Sequence, residues 1–325
     1  MDNLEDPLSY LPDPPDEPLP SDCCGTGCTP CVMDIYHDEL QTWTTLVAMT
    51  PLERAAWRRE KLGRLEGREL PVKSALSTNE FTALTVKDIV QVTEDSFVYT
   101  ISLPEGRCLG YQPGQHCILR GFVDSSECSV TRQYTPISPP DEDGSFAVLI
   151  KLYKDGRVSE VIRAWAVGTV TEWKGPFGGL NYKPNKYRHI GMLACGTGIA
   201  PMIQVIRTII ENEADDTFIH LVYSSSTQHT VLLKKELDKY TAYWNFRSLY
   251  VLSKASEQDT KADPGLMKYG DKVHYGRLDC EVVGREMPRA CTESHVLICG
   301  TRSFDKDMIN HLSKIGYSKN MYHKF

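Results

Sequence analysis

An antiparallel β-barrel followed by an α/β parallel-sheet domain, preceded by a short Cys-rich helical N-terminal appendage, is the architecture predicted by this 325-residue sequence. Three observations predict it. Short alternating apolar runs separated by turn signals extend from Phe81 to Trp173, a strand, helix, strand rhythm follows Gly179, and four cysteines crowd residues 23 to 31 beside an acidic, proline-rich start. A chain this long with 41% apolar residues has enough material for two domains with cores of their own.

Residues 1–21 hold six prolines among acidic residues, too little apolar surface to offset chain entropy, and are expected to be a disordered tail. Residues 22–66 read as a Cys-rich segment and helical linker. Asp22-Cys23-Cys24-Gly25 opens a turn-rich run through Cys28 to Cys31, leading into a helix near His37 to Val47. Thr50-Pro51-Leu52-Glu53 then supplies an N-cap, a first-turn proline and a capping-box glutamate for a short basic helix through about Arg64. The barrel is expected over 78–180, with strands such as Ser96 to Ile101, His116 to Leu119 and Phe146 to Tyr153, and one helix around Val158 to Trp165. The α/β domain is expected over 185–325. Strands at His189 to Ala194, Phe218 to Ser224 and His295 to Cys299 alternate with helices at Pro201 to Glu211 and Phe304 to Ile315. In the first of these helices Met202, Ile203, Ile206, Ile209 and Ile210 form one apolar face.

The net charge of −7 conceals an uneven distribution. Ten of the 43 acidic residues lie in residues 1 to 40, where there is no Lys or Arg, leaving 33 acidic against 36 basic residues in the remainder. No concentrated basic patch of the kind nucleic acid requires is present, so nucleic acid is not expected as a ligand. No run approaches the ~18 apolar residues of a membrane span, and the acidic Met1 to Asp6 is not a signal peptide, so the expectation is a soluble, unanchored intracellular protein, cytoplasmic or mitochondrial, and a monomer. Eleven cysteines, an odd number scattered beyond the first four, are read as reduced thiols.

Four short segments carry chemistry. Arg132-Gln133-Tyr134-Thr135 on a barrel strand suits a flavin: a guanidinium for pyrophosphate, a phenol ring for the isoalloxazine face, and a hydroxyl for a ring nitrogen. Gly156-Arg157-Val158-Ser159 is a glycine turn opening a helix, with backbone N–H groups and a hydroxyl for phosphate. Ala194-Cys195-Gly196-Thr197-Gly198-Ile199-Ala200-Pro201 turns a buried strand through two glycines into a helix with Pro201 near its start, as a nucleotide-binding turn does, although the third glycine of the dinucleotide fingerprint is missing. Val296-Leu297-Ile298-Cys299-Gly300 is another apolar strand ending in a glycine turn. Taken singly, each is also an ordinary strand, cap or buried thiol; their order, barrel first and sheet second, gives them force.

With these segments the sequence from Thr78 to Phe325 resembles the NADH-cytochrome b5 reductases of the ferredoxin-reductase superfamily. The resemblance extends through Tyr111-Gln112-Pro113-Gly114-Gln115-His116, Ile150-Lys151-Leu152-Tyr153 and Gly175-Pro176-Phe177-Gly178 to a terminal aromatic, Phe325. It implies an FAD site made by Arg132, Tyr134 and Thr135 and completed by Ile150, Lys151, Tyr153 and Gly156 to Ser159. It implies an NADH site at Gly196, Thr197, Gly198 and Pro201, with Cys299 and Gly300 by the nicotinamide, so that Thr135 and Cys299 flank the reacting atoms. It further implies hydride transfer to the flavin and single-electron transfer to a small haem protein such as cytochrome b5, with no obligatory side-chain acid or base.

Two departures stand out. Gln133 replaces a customary proline, and Cys299-Gly300 continues into Thr301-Arg302-Ser303 instead of prolines that shape the nicotinamide pocket. An alternative reading, a flavin-binding scaffold or sensor without efficient turnover, rests on the second. NADH is favoured over NADPH because Val222 to His229 contains no Lys or Arg to meet an extra phosphate, and the next one is Lys234. The Cys-rich segment resembles an oxidoreductase-like N-terminal domain through Asp22-Cys23-Cys24, Cys28, Cys31-Val32, Asp34, Tyr36 and Glu39-Leu40. No metal is assigned to it; Cys23, Cys24, Cys28 and Cys31 are the candidate ligands if it holds one, Cys28 and Cys31 could form a redox pair, and a docking motif with reduced thiols is the remaining reading.

Overall fold

The computed structural model describes residues 11, 14–15, 17, 32–54, 56–57, 74–122 and 129–325. Cys23, Cys24, Cys28 and Cys31, most of the acidic tail and the basic helix beyond residue 57 lie outside these residues. Within them, a helix, α1, runs from Val32 to Val47. The capping box at the next helical turn forms as the sequence predicts. Thr50 N donates to Glu53 Oε2 at 2.8 Å and Glu53 N donates to Thr50 Oγ1 at 3.3 Å.

Six antiparallel strands follow: β1 (Thr82–Gln91), β2 (Ser96–Ser102), β3 (Gln115–Phe122), β4 (Ser129–Tyr134), β5 (Ser145–Lys151) and β6 (Val170–Gly178). Their order in the sheet is β4-β3-β6-β1-β2-β5, and an antiparallel bridge between Pro136 and Val148 joins the two edges, rolling the sheet into a barrel. Alternation along each strand fills the interior. On β5, Phe146, Val148 and Ile150 enter a core with Leu84, Ile101 and Trp173, while Leu149 between them packs into the next domain. Trp173 is fully buried, meets Phe146 edge-on at 5.3 Å and donates its indole N–H to Thr171 Oγ1 at 2.8 Å, so its one polar atom is satisfied.

The second domain is a parallel sheet of β7 (His189–Cys195), β8 (Phe218–Ser225), β9 (Phe246–Leu252), β10 (Val273–Tyr275), β11 (Ser294–Cys299) and β12 (Tyr322–Lys324). The order β10-β9-β8-β7-β11-β12 places β8 on one side of β7 and β11 on the other. A crevice therefore opens at the carboxyl ends of β7 and β11, where connections leave in opposite directions. The helix α2 (Ile199–Ile210) starts in it, directly after the Gly196–Gly198 turn, and α3 (Arg302–Lys314) starts beside it, capped by Thr301, whose side chain accepts from Phe304 N.

The helix α2 also fixes the two domains to each other. It is buried on nearly every side, the barrel covering the face that the sheet does not. Two polar residues on it are paired with barrel main chain. Gln204 Nε2 donates to Pro136 O at 2.9 Å and Gln115 O at 3.1 Å, its Oε1 accepts from Gly114 N at 2.8 Å, and Arg207 donates to Ile137 O at 2.9 Å. A network this buried holds only while its partners stay in register, so the barrel wall faces the sheet edge in a defined geometry.

Candidate active site

A cleft of about 380 Å³ lies between the barrel and the carboxyl edge of the parallel sheet. One wall is β4 and the residue after it, contributing Thr131 to Thr135, together with Lys151 at the end of β5 and Tyr153 just beyond it. Gly156 to Ser159 close that side, where the chain enters the helix Arg157–Arg163. Ser159 Oγ accepts from Tyr153 N at 2.9 Å, bracing the turn while keeping its own proton for a ligand. The opposite wall carries Thr197, Gly198, Pro201, Cys299 and Gly300. Of the residues assigned from sequence to the FAD and NADH sites, all but two line this one space. Ile150 is fully buried in the barrel core, so it can offer a ligand only main chain. Gly196 stands behind the wall at φ +54°, its carbonyl accepting from the Tyr223 hydroxyl at 2.9 Å.

Several lining residues were not foreseen. His116 arrives on β3, Leu149 on β5, and His323 and Lys324 on β12, which pairs with β11 and carries the chain terminus into the cleft. Phe325 extends this edge: its N–H donates to Ile298 O at 3.1 Å, and its ring lies so near Gly114 that a Cβ there would fall 2.8 Å from Cε1. A three-residue strand has too little sequence for a periodic signal, and the terminal aromatic was the one clue to it.

The donor set suits a large anionic, partly aromatic group. Arg132, Arg157 and Lys324 bring positive charge, and Tyr134 presents a phenol whose ionisation burial pushes well above its ordinary range, keeping it neutral. Lys151 pairs with Asp95 at 2.8 Å; although burial opposes it, that ammonium and the Ser96 hydroxyl hold the Asp95 carboxyl below its usual value. Two buried polar atoms of cleft-lining residues, His116 Nε2 and Thr131 Oγ1, have no partner among the described residues. Orphans of this kind fit a ligand rich in hydrogen-bonding edges. Two glycines of the wall are demanded by the protein's own packing: a Cβ on Gly198 would come within 2.1 Å of Cys299 O, and one on Gly156 within 2.8 Å of Ser159 Oγ.

Burial pushes His116 down to about 4, and His220 and His295, elsewhere in the nucleotide domain, also down to about 4. The unfolded chain, with imidazoles near 6.5, binds protons first as pH falls. The stability these groups contribute is therefore complete above pH ~6.5 and is withdrawn between there and about pH 4. For His116 alone the expected loss at pH 5 is about 2 kcal/mol. The urea midpoint should accordingly drop between pH 7.5 and pH 5, and a flat midpoint across that window would show that these imidazoles are protonated in the fold.

Comparison with known proteins agrees with this anatomy. Residues 83–182 match the oxidoreductase FAD-binding domain family, residues 192–310 the oxidoreductase NAD-binding domain family, and residues 9–50 the N-terminal oxidoreductase-like family. The chain is 37% identical over 325 residues to a mouse protein named NADH-cytochrome b5 reductase-like, covering 99% of this chain and 98% of the relative. The human protein of the same name is 38% identical over 312 residues, 96% of this chain and 94% of the relative. NADH-cytochrome b5 reductase 1 of Dictyostelium discoideum is 36% identical over 250 residues, 76% of this chain and 82% of its own length. Among solved structures, the cytochrome b5 reductase domain of Ulva prolifera nitrate reductase aligns with TM-score 0.68 at 25% identity, over 78% of this chain and 99% of that one. A ferredoxin NADP+ reductase from Neisseria gonorrhoeae shares the fold, with TM-score 0.62 at 18% identity over 76% of this chain and 98% of that one. With both cofactor domains matched in order and relatives of this identity over nearly its whole length, the chain belongs to the NADH-cytochrome b5 reductase family.

Proposed function

We propose that this protein is an FAD-dependent reductase that takes electrons from NADH and passes them singly to a small haem protein such as cytochrome b5. The observation carrying this reading is the convergence of the Arg132 to Thr135 strand and the Gly196 to Gly198 turn on one cleft, so that a flavin on the barrel wall and a nicotinamide on the sheet edge share one space. When bound, FAD supplies the conversion of a hydride into two single electrons.

The residues of this chain bind, orient and exclude water. Arg132 and the Gly156 to Ser159 turn would hold the pyrophosphate, Tyr134 would offer its ring to the flavin and Thr135 its hydroxyl, with Lys151 and Tyr153 completing the wall. Thr197, Gly198 and Pro201 let the nucleotide approach the start of α2, whose N-terminal dipole favours its charge. Cys299 and Gly300, on the sheet-edge wall, would flank the nicotinamide, with Thr301 capping α3 behind them. Leu149 and Phe325 supply apolar surface that keeps water from the reacting atoms. The α2 network to the barrel holds the two walls at a fixed separation, on which hydride transfer depends steeply.

The purified holoprotein should show flavin absorption that bleaches on anaerobic addition of NADH and returns as oxidised cytochrome b5 is reduced. Flavin that stays oxidised in excess NADH would overturn the reductase reading and leave a flavin-binding scaffold. Bleaching without haem reduction would remove cytochrome b5 as the acceptor and nothing else. Among the described residues no helix is long and apolar enough to cross a membrane.

A further inference from the structure

Helix α2 begins on the nucleotide wall, with Ala200 and Pro201 lining the cleft. Gln204 follows them by four and three residues, so it stands about 6 Å further along the axis on the same face of the helix. Its neighbours Ile203, Val205 and Ile206 are fully buried, and Gln204 itself is only 1% exposed. A leucine there would bury as much apolar surface, whereas an amide adds direction and requires a partner for each polar atom.

Its oxygen and both N–H groups are taken, all by main chain of the flavin wall. Oε1 accepts from Gly114 N at 2.8 Å, and Nε2 donates to Gln115 O at 3.1 Å and to Pro136 O at 2.9 Å. Gly114 lines the cleft, Gln115 directly precedes the cleft residue His116, and Pro136 directly follows Thr135. One side chain therefore ties the entry to β3 and the exit from β4, which frame the flavin wall, to the first turns of the helix that carries the nucleotide wall. Arg207, one turn further on, reaches Ile137 O, which does not line the cleft, and shares its charge with Glu236 at 3.4 Å and Glu211 at 3.9 Å. It holds the helix further from the reacting atoms.

We propose that Gln204 is a positioning residue for hydride transfer: it sets the separation and offset of nicotinamide and flavin without lining the cleft itself. The inference rests on the reductase reading above, in which the C4–H bond of NADH breaks and the hydride, with both electrons, passes to oxidised FAD and leaves NAD+. A misplacement on the order of 1 Å slows such a transfer by about 100-fold, whereas binding of either cofactor draws on contacts spread over its own wall. Loss of Gln204 is then read as a lower limiting rate at nearly unchanged affinity.

The test uses the FAD-loaded protein, Gln204→Leu, Gln204→Glu and, as a stability control, Asn245→Ala. Asn245 is buried at the opposite, amino edge of the sheet, where its Nδ2 donates to Thr217 O at 3.2 Å. Stopped-flow reduction over a range of NADH concentrations separates the limiting rate from the apparent Kd, NADH deuterated at C4 reports whether bond breaking limits that rate, and the urea midpoint ranks stability. In dithionite-reduced protein given excess NAD+, the long-wavelength charge-transfer absorbance reports overlap of the two rings independently of turnover. Gln204→Leu should lower the limiting rate by about 100-fold, hold the apparent Kd for NADH within about threefold, keep FAD bound and weaken the charge-transfer band. Its isotope effect should be at least as large as that of the unaltered protein. Gln204→Glu keeps the acceptor for Gly114 N and has at most one donor, so its rate should fall between the two, and it decides the matter if the leucine variant does not fold. Asn245→Ala should lower the urea midpoint and leave the limiting rate within about twofold. Gln204 variants with an unaltered limiting rate, with a raised apparent Kd in place of a slower rate, or with a loss of rate that Asn245→Ala matches would overturn the proposal and leave the reductase reading intact. Flavin that NADH fails to reduce even in the unaltered protein would overturn both.

Discussion

Gly198→Ala is expected to cut NADH-dependent flavin reduction by roughly 100-fold while leaving FAD bound, the scale of an overpacked site that cannot relax. Gly198 has φ −62° and ψ −5°, which any residue adopts, so space and not conformational freedom demands glycine. An added Cβ would lie 2.1 Å from Cys299 O and 2.6 Å from Cys299 C. Both are main-chain atoms at the end of β11, so no rotamer change gives relief and the β7 and β11 ends must part at the switch point. Gly196→Ala is the control: its φ of +54° strains a side chain by about 1 to 2 kcal/mol, but no atom lies within 4 Å of the new methyl. Stopped-flow reduction of both variants checks this. A Gly198→Ala rate near the unaltered one would show that the strand ends are not the nucleotide wall.

The legibility of the fold followed the range of the interactions. Turn glycines and strands with local alternation could be read directly, and β7, β8, β11 and α2 formed within a residue or two of where apolar periodicity placed them. Ile150 shows what periodicity holds if taken one step further: with Phe146 and Val148 it has the parity of the barrel core, whereas Leu149 and Lys151 have the parity of the cleft. Residues delivered by distant pairings were not readable. His116 comes to the cleft through β3, and His323 and Lys324 through the pairing of β12 with β11. Gln204 lies among isoleucines and reads as a solvent-facing position; only the barrel packed over it turns that position into a buried link.

The flavin half of the site depends most on Arg132. Arg132→Leu should lower FAD affinity by about 100-fold or more, because a guanidinium can make two parallel charge-assisted bonds to pyrophosphate, each contributing roughly 1.5 to 3 kcal/mol. The residue sits on β4 opposite Leu119 of β3, on a strand whose register is set by six successive pairs, so the substitution removes the contact without moving the wall. Arg132→Lys keeps the charge but loses the planar fork, and its affinity should fall between the other two. The ratio of flavin to protein absorbance after purification, followed by reconstitution with added FAD, measures both. Because FAD binds only the folded chain, Arg132→Leu should also unfold at lower temperature in proportion to the lost occupancy, and saturating FAD should recover the difference. A variant that loses stability without this recovery would mean that Arg132 supports the barrel and not the cofactor. A variant retaining full FAD at normal affinity would move pyrophosphate recognition to the Gly156 to Ser159 turn alone.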